Sequence, residues 1–114
     1  MDSILDSTKS SLGVLITDDA FEIELKIAIN SALMSLNQLG IGPAEPLVIT
    51  GSDETWEDLL GTSTNLESAK AYILLKTKLM FDPPANSYAF DAIERQLKEI
   101  EFRLQGQIET GGTG

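Results

Sequence analysis

The sequence predicts an all-α fold, a small bundle of about four helices with one extended loop segment and a flexible C-terminal tail. Two observations carry that expectation. Apolar residues recur at spacings of three and four over residues 21–39, 66–81 and 90–104. The stretches are separated by strong helix stops, Gly40 with Gly42-Pro43 and then Asp82-Pro83-Pro84. At 114 residues the chain is long enough for one modest core and too short for two.

Taken in order, residues 3–12 form a short first helix with Ile4, Leu5 and Leu12 as its apolar positions, ended by Gly13. Val14-Leu15-Ile16 is an apolar link. Asp19 and Glu22 have capping-box spacing, and Asp18 adds negative charge where a helix start favours it. From there Phe21, Leu25, Ala28, Ile29, Ala32, Leu36 and Leu39 make one stripe, which Ile23, Ile27 and Met34 widen onto a second face. A helix apolar over more than half its circumference belongs at the centre of a fold or against a neighbour.

Residues 43–55 are irregular. Within them Leu47-Val48-Ile49-Thr50 is β-prone and bounded by Pro46 and Gly51. The chain offers no second strand, so this segment reads as an extended loop packed on the helices, the alternative being pairing with a neighbouring subunit. Residues 56–60 read as one helical turn closed by Gly61, and Trp56 as a core plug or an interface anchor.

Thr64 and Glu67 give a second capping box, opening the strongly apolar helix 66–81. Pro83-Pro84 cannot continue that helix, and Asn86 or Ser87 is placed to cap the next. In the last helix Phe90, Ile93, Leu97, Ile100 and Leu104 keep a strict a/d seam over two heptads. Asp91–Arg95, Glu94–Lys98 and Glu99–Arg103 are acid-before-base pairs on its outer surface. Two heptads are short of the three or four that argue a coiled coil. The seam therefore packs inside the chain, against an antiparallel third helix across a short connection. Beyond Leu104 apolar content is too low to fold alone, which divides the chain into a helical domain, 1–105, and a flexible tail, 106–114.

Composition narrows the chemistry. There is no histidine and no cysteine, so the commonest general base, the commonest transition-metal ligand and all thiolate chemistry are missing. The expectation is a protein that is not an enzyme, with no cofactor and no metal. The acidic run Ser52-Asp53-Glu54-Thr55-Trp56-Glu57-Asp58 lacks the alternation and central glycine of a calcium loop. Gly111-Gly112-Thr113-Gly114 lacks the lysine and following helix of a phosphate loop. No apolar run approaches the roughly 20 residues of a membrane span, and the start has no secretion-signal layout.

Charge is uneven. Of a net −10, residues 1–40 carry −4, residues 41–63 carry −5 with no base, and residues 64–105 balance six acids with six bases. Such a chain has no electrostatic footprint for gripping a phosphate backbone.

Ile29-Asn30-Ser31-Ala32 through Leu39-Gly40-Ile41-Gly42, Glu54-Thr55-Trp56-Glu57-Asp58-Leu59-Leu60, Tyr72-Ile73-Leu74-Leu75-Lys76 through Phe81-Asp82-Pro83-Pro84, and Glu99-Ile100-Glu101-Phe102-Arg103-Leu104 follow one another in a distinctive order. Over roughly residues 4–104 the chain resembles the small head–tail connector (adaptor, or head-completion) proteins of tailed bacteriophages. The resemblance implies an all-α subunit without catalytic activity, in a ring of about twelve copies beneath the portal. It implies as partners the portal above and a neck or tail-completion protein below, with DNA passing through unbound.

On that analogy the C-terminal segment orders on the portal, with Phe102, Leu104, Gln105 and Ile108 as contacts. Asp53, Glu54, Glu57 and Asp58 become candidates for an acidic channel lining, and Val48, Ile49 and Trp56 for a subunit interface. The expected place is the head–tail junction of the virion, after synthesis in the host bacterial cytoplasm and without membrane contact. A cytosolic helical adaptor or regulator binding one protein partner is the alternative from a different class.

Overall fold

The computed structural model describes residues 3–61 and 65–113, with side chains as far as residue 106. The helices along it are α1 (Ile4–Ser11), α2 (Glu22–Gln38), α3 (Trp56–Leu60), α4 (Leu66–Phe81) and α5 (Ser87–Thr113). Among the described residues no strand forms, and an antiparallel bridge joins Ser3 to Thr55. The all-α expectation holds.

Helix α4 is the middle element. It packs against both α2 and α5, with α3 beside it. Ala69, Tyr72, Ile73 and Thr77 are buried, and Leu66, Leu74, Leu75 and Leu79 cover more of its circumference against the core. Apolar residues on two faces let it accept both helices. The result is a slab of 46 × 35 × 19 Å. Its long axis matches α5, whose 27 residues rise about 40 Å.

The broad apolar surface of α2 points to a different position from the central one. Leu25, Ala28, Ile29, Ala32, Leu33 and Leu36 are buried. The second face is not covered: Ile23, Ile27 and Met34 are 71%, 62% and 45% exposed. Periodicity identifies which residues are apolar, not which of two apolar faces finds a partner.

Helix ends follow local chemistry. Ser3 caps α1 by accepting from the Asp6 N–H at 3.2 Å, and Gly13, at φ 77°, turns the chain away after it. At α2 the expected Asp19–Glu22 box does not form. Phe21 is the N-cap and provides no side-chain cap, while Asp18 Oδ1 accepts from the Ala20 N–H at 2.9 Å. Glu22 is drawn elsewhere. Its carboxylate pairs at 3.0 Å with Lys9, a buried lysine that also donates to the Ile16 carbonyl at 3.2 Å. One ammonium thus ties α1, the link and α2 together.

Thr55 and Asp58 form a full capping box on α3, and Gly61 closes it. The Thr64–Glu67 box lies outside the described residues. Asn86 caps α5, its Oδ1 accepting from Tyr88 N at 2.7 Å and Ala89 N at 3.3 Å.

In α5 Leu97, Ile100 and Leu104 are buried and Ile93 packs partly against the same core. The three acid–base pairs expected on its surface do not close. Among the described residues the ion pairs within 4.0 Å are Lys9–Glu22 and Lys78–Asp82. The helical backbone continues past Leu104, where the seam stops, to Thr113.

Tyr72 joins α4 to α5. Almost wholly buried in α4, it donates to Glu101 of α5 at 3.1 Å. Burial, followed by the nearby Glu101 charge and the hydrogen bond to it, pushes the phenol up from 10.0 to about 12. Tyr72→Phe leaves the Glu101 carboxylate without it and is expected to cost about 1 kcal/mol in urea unfolding at neutral pH. A phenol held protonated by the fold stabilises fully below pH 10.0 and progressively less as pH rises towards about 12. The gap between wild type and Y72F should therefore close across that interval and stay constant below it.

Candidate assembly surfaces

Loop 41–55 has no sheet to hold it, and side chains take over that role. Asn30 of α2 accepts from the Ile49 N–H at 2.8 Å and donates to the Ile49 carbonyl at 3.2 Å. An amide thereby makes the paired contacts of an adjacent strand. Ile49 is buried in consequence, and Lys26 donates to the Thr50 carbonyl at 3.3 Å. The packed-loop reading of Leu47-Val48-Ile49-Thr50 is the arrangement found. Of Val48, Ile49 and Trp56, the structure leaves Val48 alone at the surface, with Ile49 and Trp56 in the core.

The acidic residues after the loop divide by role. Glu54 folds back on it, accepting from Thr50 N at 3.1 Å, Thr50 Oγ1 at 2.9 Å and Gly51 N at 3.4 Å. Burial pushes its pKa up, and the donors from Thr50, its own backbone and Gly51 outweigh that, leaving the carboxyl below the ordinary 4.5. Asp58 accepts from the Thr55 N–H at 2.9 Å as half of the capping box. Asp53 and Glu57 have no such role among the described residues, and Asp53 is exposed. The segment is anchored below by Trp56, buried with the Lys70 ammonium 5.6 Å from its ring centre.

The segment runs between helices: Trp56 and Lys70 hold it beside the first half of α4, and Lys26 holds Thr50 beside the first half of α2. Among the expected portal contacts, Phe102 is 80% exposed and Gln105 is exposed, while the Ile108 side chain lies outside the described residues. Leu104 is fully buried and completes the seam against the core, so in the protomer it is a packing residue.

A third surface has no counterpart among the expected sites. Beside the exposed stripe of α2 opens a groove of about 570 Å³, lined by Leu12, Val14, Phe21, Ile27, Met80 and Phe81. Phe21 and Phe81 meet edge to face at its wall, ring centres 6.0 Å apart. Leu15 and Ile16, in the link before α2, are also exposed. Large apolar surface of this extent on a small chain marks interaction with another macromolecule. By period Phe21, Ile27, Met80 and Phe81 read as packing residues, and Val14-Leu15-Ile16 reads as an apolar link; burial alone tells which of them stay at the surface.

Among the described residues there is no group of three metal-ligating side chains, and no helix is long and apolar enough to cross a membrane. The displaced carboxyl of Glu54 is committed to its loop.

A family model described as phage connector protein matches residues 4–111. The chain belongs to that family, a family of structural proteins of the phage head–tail region. No curated protein and no solved structure matches it.

Asn30→Ala is expected to lower stability by about 1–2 kcal/mol, because it orphans the Ile49 amide and carbonyl together. Hydrogen exchange should locate the damage. The Ile49 amide should lose protection while the α4 and α5 amides keep theirs, and uniform loss along the chain would contradict the clamp.

Proposed function

We propose that this phage connector forms a closed ring of about twelve copies beneath the portal, joining the DNA-filled head to the neck or tail and leaving a channel for DNA. The family match over residues 4–111 carries this reading. Three features support it: an α5 that outruns its own core, a stretch over residues 41–63 with five acids and no base, and apolar surface beyond what one subunit covers.

In this reading the helical extension from Gln105 onward, with Ile108, lies against portal subunits, a weak contact per copy multiplied over many copies. Phe102 stands at its base. The opposite face receives the neck or tail-completion protein. Subunits are made in the host cytoplasm and end at the head–tail junction of the virion. The acids keep DNA from adhering: a wall of like charge repels phosphate over about a Debye length, near 8–10 Å. Asp53 and Glu57 are the residues of that wall, since Glu54 and Asp58 are occupied in holding the loop and the α3 cap.

Mixing the purified chain with portal rings and weighing the products by native mass spectrometry tests the reading. A stoichiometric ring on the portal, lost on deleting residues 105–114, is the expected result; a free monomer throughout overturns it. Replacing Asp53 by Asn and Glu57 by Gln should leave ring formation intact and slow DNA passage during ejection. Unchanged ejection kinetics would remove the acidic wall from the mechanism.

A further inference from the structure

The groove beside the start of α2 takes no part in the proposed function as stated. Its walls are apolar and half open: Phe21, Ile27 and Met80 line it while 51%, 62% and 45% exposed. Leu15 and Ile16 carry apolar surface onward in the preceding link. An opening of about 570 Å³ has room for several side chains of a partner.

Its charge is one-sided. The charged residues lining it are Glu24 and Asp82, both exposed acids, and Asp18 and Asp19 precede Phe21 in the chain. Among the described residues Glu24 meets no base within 4.0 Å. Asp82 meets Lys78 at 3.9 Å at the surface, where such a pair holds little.

A second copy of the chain is a poor complement to those acids. Of the bases, Lys9 is spent on Glu22, Lys26 on the Thr50 carbonyl, Lys70 on Trp56, Lys76 on Tyr72 and Lys78 on Asp82. The remaining three, Arg95, Lys98 and Arg103, are interleaved along α5 with Asp91, Glu94, Glu99 and Glu101. Three bases among four acids make no basic face, and a copy brings a net −10 with it.

We propose that the groove receives a basic amphipathic helix from a different protein. Apolar side chains of that helix at i, i+4 and i+7 enter between Phe21, Ile27 and Met80, and its lysines or arginines face Glu24 and Asp82. Position narrows the partner. The groove includes the end of α4, and α5 begins at Ser87 just past the following turn. Gln105, where the portal segment starts, is about 27 Å further along that same helix. In the proposed assembly, on which this step rests, the groove therefore serves the protein docking away from the portal, and both partners are held at once.

A fluorescein-labelled amphipathic peptide of leucine and lysine, about five turns long, is the probe, followed by anisotropy with the free chain and with portal-bound rings. One peptide per chain should bind in both. Ile27→Ser, at an exposed position, should weaken binding about tenfold. Glu24→Gln with Asp82→Asn should weaken it about fivefold at low salt and little at high salt. Asp53→Asn with Glu57→Gln should leave it unchanged, which separates the groove from general attraction to an acidic chain. Equal binding of the matching leucine–glutamate peptide, or binding indifferent to Ile27→Ser, would overturn the proposal. So would self-association of the wild-type chain that Ile27→Ser abolishes, since a second copy would then fill the groove. Rings that form on the portal but exclude the peptide also overturn it, and there the ring reading survives. If no ring forms, the ring reading falls alone, and the free-chain titration still decides the groove.

Discussion

Burial of α4 against both other long helices is the constraint on which the rest depends. A chain of 114 residues has little interior to distribute, and here most of it is gathered around one helix. Once α4 has packed against α2 and α5, each of those helices needs only a single inward face. Tyr72 makes the α4–α5 pairing specific rather than merely apolar. Its ring is buried in the core, while its hydroxyl reaches Glu101. A sliding of α5 by one turn would separate those atoms by about 5.4 Å. Register is thereby set by a polar contact inside a core that hydrophobic packing alone would leave tolerant of shifts.

The same economy explains the loop. A helical slab cannot offer a β-edge to a segment such as Leu47-Val48-Ile49-Thr50, yet a buried backbone must still be satisfied. Asn30 does this with one side chain, and Glu54 does it again for Thr50 and Gly51. The first is drawn from α2, so the loop is tied to the rigid part of the molecule. An acidic segment held this firmly presents its remaining carboxylates from fixed positions.

Much of this was legible in the sequence where the signal is local. Gly13, Gly40, Gly61 and Pro83 stop helices for reasons confined to their own backbone, and α3 and α4 begin and end where the pattern puts them. Leu97, Ile100 and Leu104 are buried as their heptad spacing requires. That spacing already argued against Leu104 as an outward contact, and the burial agrees with the spacing. What could not be read depends on distant partners. Glu22 is at capping distance from Asp19, but Lys9 outcompetes the backbone for its carboxylate, and nothing near Lys9 in the chain announces its burial. Asn30 looks like any polar residue on the flank of a helix until Ile49 is brought beside it. The exposure of Ile23, Ile27 and Met34 was illegible for a related reason: an apolar face looks the same whether its partner lies in this chain or in another.

That last ambiguity bears on assembly. Ile23, Ile27 and Met34 of α2 and Tyr88 and Phe102 of α5 are left uncovered in a single subunit. A head-to-tail contact between unlike surfaces is open-ended: it closes into a ring if the rotation per subunit divides a full turn, and otherwise grows without limit. In the proposed assembly, the net charge of −10 per copy acts against premature growth, because every added subunit brings like charge toward those already present. A portal that engages each copy through the α5 extension would hold the copies at fixed spacing and offset that repulsion. The template then decides when copies meet, and the contact between them can stay weak.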